Sequence, residues 1–426
     1  MDITVSKSKL GLKGEITIPA DKSISHRAIM FSSLAKGKSI IKNFLYAADC
    51  KSTVEVFQQL GVSINFIDKN TLTVESSGIL KPTESNLYCG NSGTTMRLMS
   101  GILAGQNFNS ILSGDESLSK RPMKRIITPL SMMGADISAV DSHAPLTIKG
   151  RSLHGITYNS PIASAQVKSS ILLAGMFADG ETTVTEPYLS RNHTELMLKY
   201  MGANIKVNEN TIKISKSILH SADITVAGDI SSAAFFIVAA LIIPNSDIII
   251  RNVGLNTTRT GILDIVQRMG GNIELLDKRF VSGEYVGDIR IKYSELKACK
   301  ISGADIPRLI DELPVIALLA TQAYGETRIT DASDLRNKEA DRISAVVTEF
   351  RKIGIDIDEL EDGFVISGKQ SIKGGNSLEV YHDHRLAMTL YVAGLISNNE
   401  ILIRDFEWVD ISLPEFLPLI DSLNCL

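Results

Sequence analysis

The sequence predicts an α/β protein with two similar domains, each made of three copies of a β/α unit in which sheets surround a buried helix. Three observations support this prediction. A short glycine phrase recurs along the chain, apolar helices recur between its copies, and the two halves of the chain resemble each other. The length of 426 residues is consistent with two domains of roughly 200 residues each.

The glycine phrase consists of an apolar residue, a glycine, two variable residues and an isoleucine. Its glycines are Gly61, Gly134, Gly202, Gly270 and Gly354. Each copy follows an amphipathic segment and precedes alternating apolar residues. We therefore predict that the glycine is a left-handed residue just after a helix, and that the isoleucine is the first residue of the next strand.

The second recurring element is a helix rich in Ala and Leu. Its six copies end near Ala35, Ala104, Ala174, Ala240, Ala320 and Ala393. Helices that are apolar over most of their circumference have to be buried on nearly all sides. The strands between these segments are therefore predicted to form sheets around them.

The two halves also align directly, because ITIPADKSISHRA at 16–28 resembles ITVAGDISSAA at 224–234. The alignment places Asp21 on Asp229 and Ser23 on Ser231. The predicted boundaries lie where these two segments cross between domains. One discontinuous domain would comprise 1–20 plus 228–426 and hold both termini, and the second would comprise 21–227, with three repeat units in each.

Composition and charge exclude several classes of protein. Apolar residues make up 44% of the chain and charged residues 22%, which is typical of globular proteins. The net charge of -4, with Lys and Arg dispersed among acids, does not favour nucleic-acid binding. The stretch 235–244 is too short to span a bilayer, and the N-terminus has no apolar segment typical of a signal peptide. We expect a cytoplasmic protein with no membrane partner.

The four cysteines, Cys50, Cys89, Cys299 and Cys425, are far apart in the chain. They show neither metal-ligand nor redox spacing, so a disulfide framework or a zinc site is not predicted. The sequence HDHR at 382–385 might suggest a metal ligand set, but two histidines flanking one aspartate at a helix start are poorly placed to converge on one ion. No metal site is predicted.

Each apolar helix is preceded by a dense polar cluster. The clusters are DKSISHR at 21–27, GNSGTTMR at 90–97, SAQVKSS at 164–170, GDISS at 228–232, DIPRLIDE at 305–312 and HDHR at 382–385. Free N–H groups and the positive end of the helix dipole bind phosphate or carboxylate at such positions. Simple N-capping by Asp, Ser or Asn is the alternative, and it is favoured for GDISS. GNSGTTMR is equally compatible with a phosphate cradle and a tight turn.

Two further cationic segments lie outside these clusters. The segment 114–125, GDESLSKRPMKR, is predicted as a mobile loop leading into a helix, and 336–343, RNKEADRI, as the start of a helix with Lys338 and Arg342 on one face. On the residues alone an ordinary solvated helix with internal ion pairs is favoured for the second segment, and Arg121 is equally compatible with a surface charge. Asp311, Glu312 and Glu339 are potential acids or bases.

Taken in order, several motifs resemble those of the 5-enolpyruvylshikimate-3-phosphate (EPSP) synthase family. They are PADKSISHRA, GNSGTTMRL, GDESLSKRPM, SAQVKS, DELPVIALLA, RNKEADRI and DHRLAM. The resemblance covers essentially the whole chain. It implies the inside-out α/β barrel of the enolpyruvyl transferases, an active site in the cleft between two domains, domain closure, and no metal or organic cofactor.

The reaction implied by the resemblance moves the enolpyruvyl group of phosphoenolpyruvate to the 5-hydroxyl of shikimate 3-phosphate, in the shikimate pathway of aromatic amino acid biosynthesis. Motif positions imply that shikimate 3-phosphate contacts Lys22, Ser23, Arg27, Ser164, Ala165, Gln166, Asp311 and Lys338. Those implied for phosphoenolpyruvate are Lys22, Gly93, Arg121, Gln166, Arg342 and Arg385. Asp311 would take the hydroxyl proton, Glu339 would protonate the methylene carbon, and Lys22 would assist catalysis. The resemblance implies small-molecule partners only, and we expect a monomer.

The chain departs from the family pattern at two places. Ile411 and Ser412 stand where some relatives carry a Lys, and Asp334 stands where some carry an Asn. Two rival functions are considered: the sister enzyme that acts on UDP-N-acetylglucosamine, and a non-catalytic anion-binding module. The sister enzyme usually carries a Cys in the segment that corresponds to 114–125, and none is present here.

Overall fold

The computed structural model describes residues 1–423, and it confirms the α/β class. The chain divides into two compact units. The first unit contains Met1–Pro19, Gly228–Phe280 and the chain from Tyr285 onward, and the second contains Ala20–Ala227 and Val281–Glu284. Each unit holds three of the six sheets found in the described residues.

The helices and strands follow one another in a repeating order. The first two repeats contain β1 (Ile3–Val5), β2 (Lys13–Thr17), α1 (Lys22–Leu34), β3 (Lys36–Lys42), α2 (Ala48–Gln59), β4 (Ser63–Phe66), β5 (Leu72–Ser77), β6 (Leu87–Tyr88), α3 (Gly93–Ala104), β7 (Asn109–Ser113), α4 (Glu116–Ser119), α5 (Lys124–Met132), β8 (Asp136–Val140) and β9 (His143–Lys149). The next two contain β10 (Thr157–Asn159), α6 (Ala165–Gly175), β11 (Thr182–Thr185), α7 (His193–Tyr200), β12 (Ile205–Asn208), β13 (Thr211–Ile214), β14 (Ile224–Thr225), α8 (Ile230–Ile242), β15 (Asp247–Gly254), α9 (Gly261–Arg268), β16 (Asn272–Val281) and β17 (Glu284–Lys292).

The last two repeats contain β18 (Leu296–Lys297), β19 (Lys300–Ile301), α10 (Ile306–Leu309), α11 (Leu313–Thr321), β20 (Ala323–Ile329), α12 (Arg342–Lys352), β21 (Ile357–Leu360), β22 (Gly363–Gly368), β23 (Ser377–Leu378), α13 (His384–Gly394), β24 (Ile401–Ile403) and α14 (Phe416–Leu423). Short 3-10 helices cover Gly303–Asp305, Ser333–Asn337 and Phe406–Ile411.

In the second unit the sheets have the strand orders β14-β3-β5-β4, β6-β7-β9-β8 and β10-β11-β13-β12. In the first unit the orders are β16-β17-β15-β2, β18-β20-β22-β21 with β19 beside β20, and β1-β24-β23. The strand β2 runs parallel to β15, and β14 runs parallel to β3. The opening strand of each half therefore belongs to a sheet of the other half, which makes the first unit discontinuous.

The apolar helices form the interior of each unit. Every residue of α8, α11 and α13 is buried, and α1, α3 and α6 bury most of theirs. A sheet covers one side of a helix, so burial all round requires several sheets and the other helices. The prediction of buried helices among sheets is confirmed.

The recurring glycines behave as predicted. Gly61, Gly134, Gly202, Gly270 and Gly354 all have positive φ values, between +81° and +92°, just after a helix. A Cβ is disfavoured in this left-handed conformation, which explains why glycine ends each helix. The isoleucine is the first strand residue only at Ile205 and Ile357, because the other three strands begin one residue earlier.

None of the helices within residues 1–423 is both long and apolar enough to cross a membrane. Cys50, Cys89 and Cys299 are free thiols, and Cys425 lies outside the described residues. Burial raises the pKa of Cys89 to about 12.

Candidate functional site

The apolar helices begin at capping side chains. Those of Asp21, Ser92, Ser164, Asp229 and Asp383 accept hydrogen bonds from backbone N–H groups in the first turns of α1, α3, α6, α8 and α13. The sixth helix differs from the prediction. The segment DIPRLIDE forms a 3-10 turn and the short helix α10, and α11 begins only after Glu312. Pro307 and Pro314 each stand in a first helical turn, where a missing N–H costs little, so two helices start where one was predicted.

The start of α1 carries two of the predicted cations. The Nζ atom of Lys22 lies 3.1 Å from Oδ2 of Asp49, and both side chains are mostly buried. The side chain of Asp21 caps the helix at the N–H of Ile24, at 2.8 Å. Within the described residues, the hydroxyl of Ser23 has no hydrogen-bond partner.

Arg27 projects one turn further along α1 and is 3% exposed. It donates to Oγ1 of Thr194 at 2.7 Å, to Oγ of Ser169 at 3.0 Å and to the carbonyl of Ser23 at 3.1 Å. These acceptors are neutral. Burial lowers the pKa of Arg27 to about 10, and the charge of Glu195 opposes that shift. The guanidinium stays charged at neutral pH and is suited to an anionic ligand.

The start of α3 lies beneath two guanidinium groups. A Cβ built on Gly93 would lie 3.3 Å from Nη1 of Arg97 and 3.6 Å from Nη1 of Arg121. The preceding Gly90 has φ +57°, as a tight turn requires. Arg121 donates to Oδ1 of Asn91 at 2.6 Å. Two cations beside a helix N-terminus that begins with glycine are suited to bind phosphate or carboxylate.

The start of α6 contacts the start of α3. Gln166 donates to Oγ1 of Thr94 at 3.0 Å, and its Oε1 accepts from Arg97. The two helices approach closely at Gly101, which has no side chain. A Cβ at this position would collide with the carbonyl of Ser170. Gly93, Arg121 and Gln166, which were predicted to share one ligand, are therefore brought together, with Arg97 between them. Ser164 and Ala165 precede Gln166 at the same helix start.

In the first unit, Arg342 is the centre of a cluster of charges and is 2% exposed. Its Nε lies 2.6 Å from Asp383, its Nη2 lies 2.6 Å from Glu339, and its Nη1 lies 3.2 Å from Asp311. Burial would lower the pKa of Arg342, but the carboxylates, Asp383 foremost, raise it above the ordinary value.

Asp311 is placed among three cations. Its carboxylate lies 3.2 Å from Arg342, 3.7 Å from Lys338 and 3.8 Å from Arg385. Neighbouring positive charges favour the ionised carboxylate, which is the form that accepts a proton. Five predicted residues therefore form one cluster: Asp311, Lys338, Glu339, Arg342 and Arg385.

The prediction that Lys338 and Arg342 share a helical face is wrong. Lys338 follows the 3-10 helix Ser333–Asn337, and α12 begins at Arg342, because Asp341 accepts hydrogen bonds from the N–H groups of Ile343 and Ser344. The two cations still converge, because both reach Asp311. Asp334 lies 3.5 Å from the Nζ atom of Lys338.

The segment 114–125 is not a plain loop. It contains the helical turn α4, capped by Asp115 at the N–H of Leu118 at 2.7 Å, and it leads into α5 as predicted. Its mobility stays a prediction.

Ile411 and Ser412 stand where some relatives carry a Lys. Ile411 ends a 3-10 helix, and Ser412 is buried with its N–H bonded to the carbonyl of Val409.

The start of α8 is occupied by side chains of the protein, as the capping alternative for GDISS predicted. Asp229 caps Ser231, and the buried Arg259 donates to Oδ1 of Asp229 at 2.9 Å and to Oγ of Ser231 at 2.7 Å. The sequence did not indicate this role of Arg259.

Sequence reasoning also missed Asp49, Asn91, Thr94 and Asp383, which hold predicted site residues. The position of Asp383 as a helix cap could be predicted, but its ion pair with Arg342, 41 residues away, could not. Among residues 1–423, no group of three or more His, Cys, Asp or Glu side chains is arranged to hold a metal ion.

The profile of the family described as EPSP synthase (3-phosphoshikimate 1-carboxyvinyltransferase) matches residues 7–420. Two proteins named 3-phosphoshikimate 1-carboxyvinyltransferase, from Thermodesulfovibrio yellowstonii and Endomicrobium trichonymphae, are 52% and 51% identical to this chain. The alignments cover 100% and 99% of this chain and 100% of each relative. The solved structure of EPSP synthase from Acinetobacter baumannii has a TM-score of 0.89 and 42% identity, covering 99% of this chain and 98% of that one.

Proposed function

We infer the reaction of this protein from its family: the chain belongs to the EPSP synthase (3-phosphoshikimate 1-carboxyvinyltransferase) family. It transfers the enolpyruvyl group of phosphoenolpyruvate to the 5-hydroxyl of shikimate 3-phosphate and releases phosphate, a step of the shikimate pathway. The observation that supports this chemistry best is the placement of Asp311 within 4 Å of three cations, where a carboxylate meets the groups that would hold anionic substrates.

The acceptor, shikimate 3-phosphate, carries a phosphate and a carboxylate. We assign it to the start of α1, with Lys22, Ser23 and Arg27, and to the start of α6, with Ser164, Ala165 and Gln166. Arg27 supports this assignment because its contacts within the protein are to neutral oxygen atoms. Lys338 and Asp311 complete the acceptor set.

The donor, phosphoenolpyruvate, also carries a phosphate and a carboxylate. We assign it to Gly93 and Arg121 at the start of α3, and to Arg342 and Arg385 in the first unit. Lys22 and Gln166 contact both substrates. Gly93 supports this assignment, because it places backbone without a side chain next to the guanidinium groups of Arg97 and Arg121, which a Cβ would approach to 3.3 Å and 3.6 Å.

The reaction proceeds by addition and elimination. Asp311 takes the proton of the 5-hydroxyl as its oxygen bonds to C2 of phosphoenolpyruvate, and Glu339 delivers a proton to C3, which becomes a methyl group. Glu339, now deprotonated, then takes a proton back from this methyl group as phosphate leaves C2, which restores the double bond. Lys22 and the arginines stabilise the charge that develops, and most of the acceleration comes from positioning and electrostatics.

We propose further that both units contribute to one active site, and that closure of the domains excludes water during the reaction. The chain is expected to act as a monomer in the cytoplasm, where thiols such as Cys50 and Cys89 stay reduced.

Phosphate release is the direct test. The protein is incubated with phosphoenolpyruvate and either shikimate 3-phosphate or UDP-N-acetylglucosamine, and phosphate is measured. We expect release only with shikimate 3-phosphate. Release only with the nucleotide sugar would identify the sister activity, and no release with either acceptor despite binding of shikimate 3-phosphate would favour an anion-binding module.

A further inference from the structure

A buried ion triad lies beneath the start of α6. The Nζ atom of Lys168 lies 2.8 Å from Oε2 of Glu186 and 2.8 Å from Oε1 of Glu195. All three side chains are at most 1% exposed. No step of the proposed reaction uses these groups.

Such a triad is not explained by stability alone. Burying charges costs desolvation energy, and well-packed apolar residues are often as stabilising as a buried ion pair. The rest of α6 toward its C-terminus, Ile171–Gly175, is apolar. The contacts of the triad show which neighbouring groups it holds in place.

Glu186 holds the start of α6. Its Oε1 accepts from the N–H of Ser164 at 2.9 Å, and its Oε2 accepts from the N–H and the hydroxyl of Ser190, at 3.2 Å and 2.8 Å. Lys168 donates to the carbonyl of Ser190 at 3.3 Å. Ser164 is the cap of α6 and stands two residues before Gln166. The triad therefore fixes the backbone that presents the assigned acceptor residues.

The other side of the triad adjoins Arg27. Thr194 precedes Glu195, and Ser169 follows Lys168, and these two hydroxyls bond to each other at 2.7 Å. Both hydroxyls accept hydrogen bonds from Arg27. A change in the triad is expected to be felt at the guanidinium of Arg27.

We propose that Lys168, Glu186 and Glu195 are positioning residues for shikimate 3-phosphate, which set the start of α6 and the guanidinium of Arg27 without touching the substrate. This inference rests on the proposed function. It predicts that damage to the triad weakens acceptor binding selectively, because displacement of binding groups by a fraction of an ångström is costly.

The test uses the full chain with Glu186→Gln, which keeps the size of the side chain, and Lys168→Met, which removes the cation. We expect the KM for shikimate 3-phosphate to rise about tenfold in both variants. The KM for phosphoenolpyruvate and kcat at saturating acceptor should change by less than about threefold. Calorimetric titration with shikimate 3-phosphate should show the same loss of affinity.

Lys213→Met is the matched control, because it breaks an exposed ion pair, 3.0 Å from Glu181, in the same unit. It should leave all constants unchanged. If Lys168→Met does not fold, the result for Glu186→Gln decides whether the proposal stands. An unchanged KM for the acceptor in a folded variant with a lowered Tm would overturn the proposal and leave a purely structural triad. A wild-type protein without turnover would instead contradict the proposed function.

Discussion

The start of α1 and the start of α8 occupy equivalent positions in the two halves, and they are built differently. Asp21 and Asp229 both cap their helices, Asp21 at the N–H of Ile24 and Asp229 at the N–H of Ser231. Beyond the cap, α1 carries Lys22 and Arg27, whereas the aligned positions of α8 are Ile230 and Phe235. The start of α8 is then filled by Arg259 from its own chain, which pairs with Asp229.

The difference separates two roles of one motif. The capping aspartate and the apolar helix suffice to build the fold, because both halves have them. At the start of α1, Arg27 donates only to neutral oxygen atoms, which leaves its charge available to an anion. Arg259 meets a carboxylate of its own chain and is expected to stabilise the fold only.

The largest effect is expected at Asp311, the proposed base, which lies just before α11. Asp311→Ala should lower kcat about 10³-fold, because a positioned base contributes this much. Affinity for both substrates should persist, since Arg342 keeps Asp383 and Glu339 as partners. Steady-state kinetics and calorimetry measure the two effects separately.

Asp334→Ala is the control for that change, because Asp334 also lies beside Lys338 but is half exposed. It should keep turnover within about twofold, as expected for an exposed ion pair. Loss of substrate binding by Asp311→Ala with turnover per bound complex intact would contradict the role of Asp311 as a base.

Arg259→Met tests the start of α8, where Arg259 pairs with Asp229. It removes the buried cation that pairs with Asp229, so the free energy of unfolding should fall by about 3 kcal/mol. Both KM values should stay within twofold. Urea denaturation and kinetics are the measurements, and Arg404→Met, in an exposed pair with Glu379, serves as a control that barely changes stability. A raised KM for either substrate would show that the start of α8 is part of the site.

Arg27→Met is the corresponding experiment at the start of α1. The KM for shikimate 3-phosphate should rise about 30-fold, or about 2 kcal/mol, as for a lost hydrogen bond to a charged group. Stability should fall by only about 1 kcal/mol, since Ser169 and Thr194 keep their mutual hydrogen bond and Glu195 keeps Lys168. A loss of stability equal to that of Arg259→Met, with an unchanged KM, would reverse the comparison.

The features that could be predicted from the sequence are local ones. Glycines after helices, capping aspartates and all-round apolar helices each follow from residues a few positions apart, and the structure confirms them. The start of α12 was misplaced although Asp341 offers a capping signal. The start of α11 was misplaced because two prolines begin two helices.

The features that could not be predicted depend on contacts between residues distant in the sequence. Asp383 is 41 residues from Arg342, and Thr194 is 167 residues from Arg27. Periodicity and spacing carry no information about such pairs. The same holds for the charge triad around Lys168, which looks like part of an ordinary helix in the sequence.

The smallest expected effect is a pH dependence of the free energy of unfolding that comes from α1 and not from α8. His26 lies inside α1, where α8 has Ala234. Its Nδ1 lies 2.7 Å from Oγ1 of Thr53, and burial lowers the pKa of His26 to about 3. The unfolded chain takes up a proton near pH 6.5 and the folded chain does not, so stability is fully present above pH 6.5 and falls as the pH drops toward 3. At pH 5.5 the loss should be about 1 kcal/mol. Urea denaturation of wild type and His26→Gln at pH 7.5 and 5.5 measures it. The difference between the two proteins should shift by that amount, and an identical pH dependence would mean that His26 is not kept neutral by its burial.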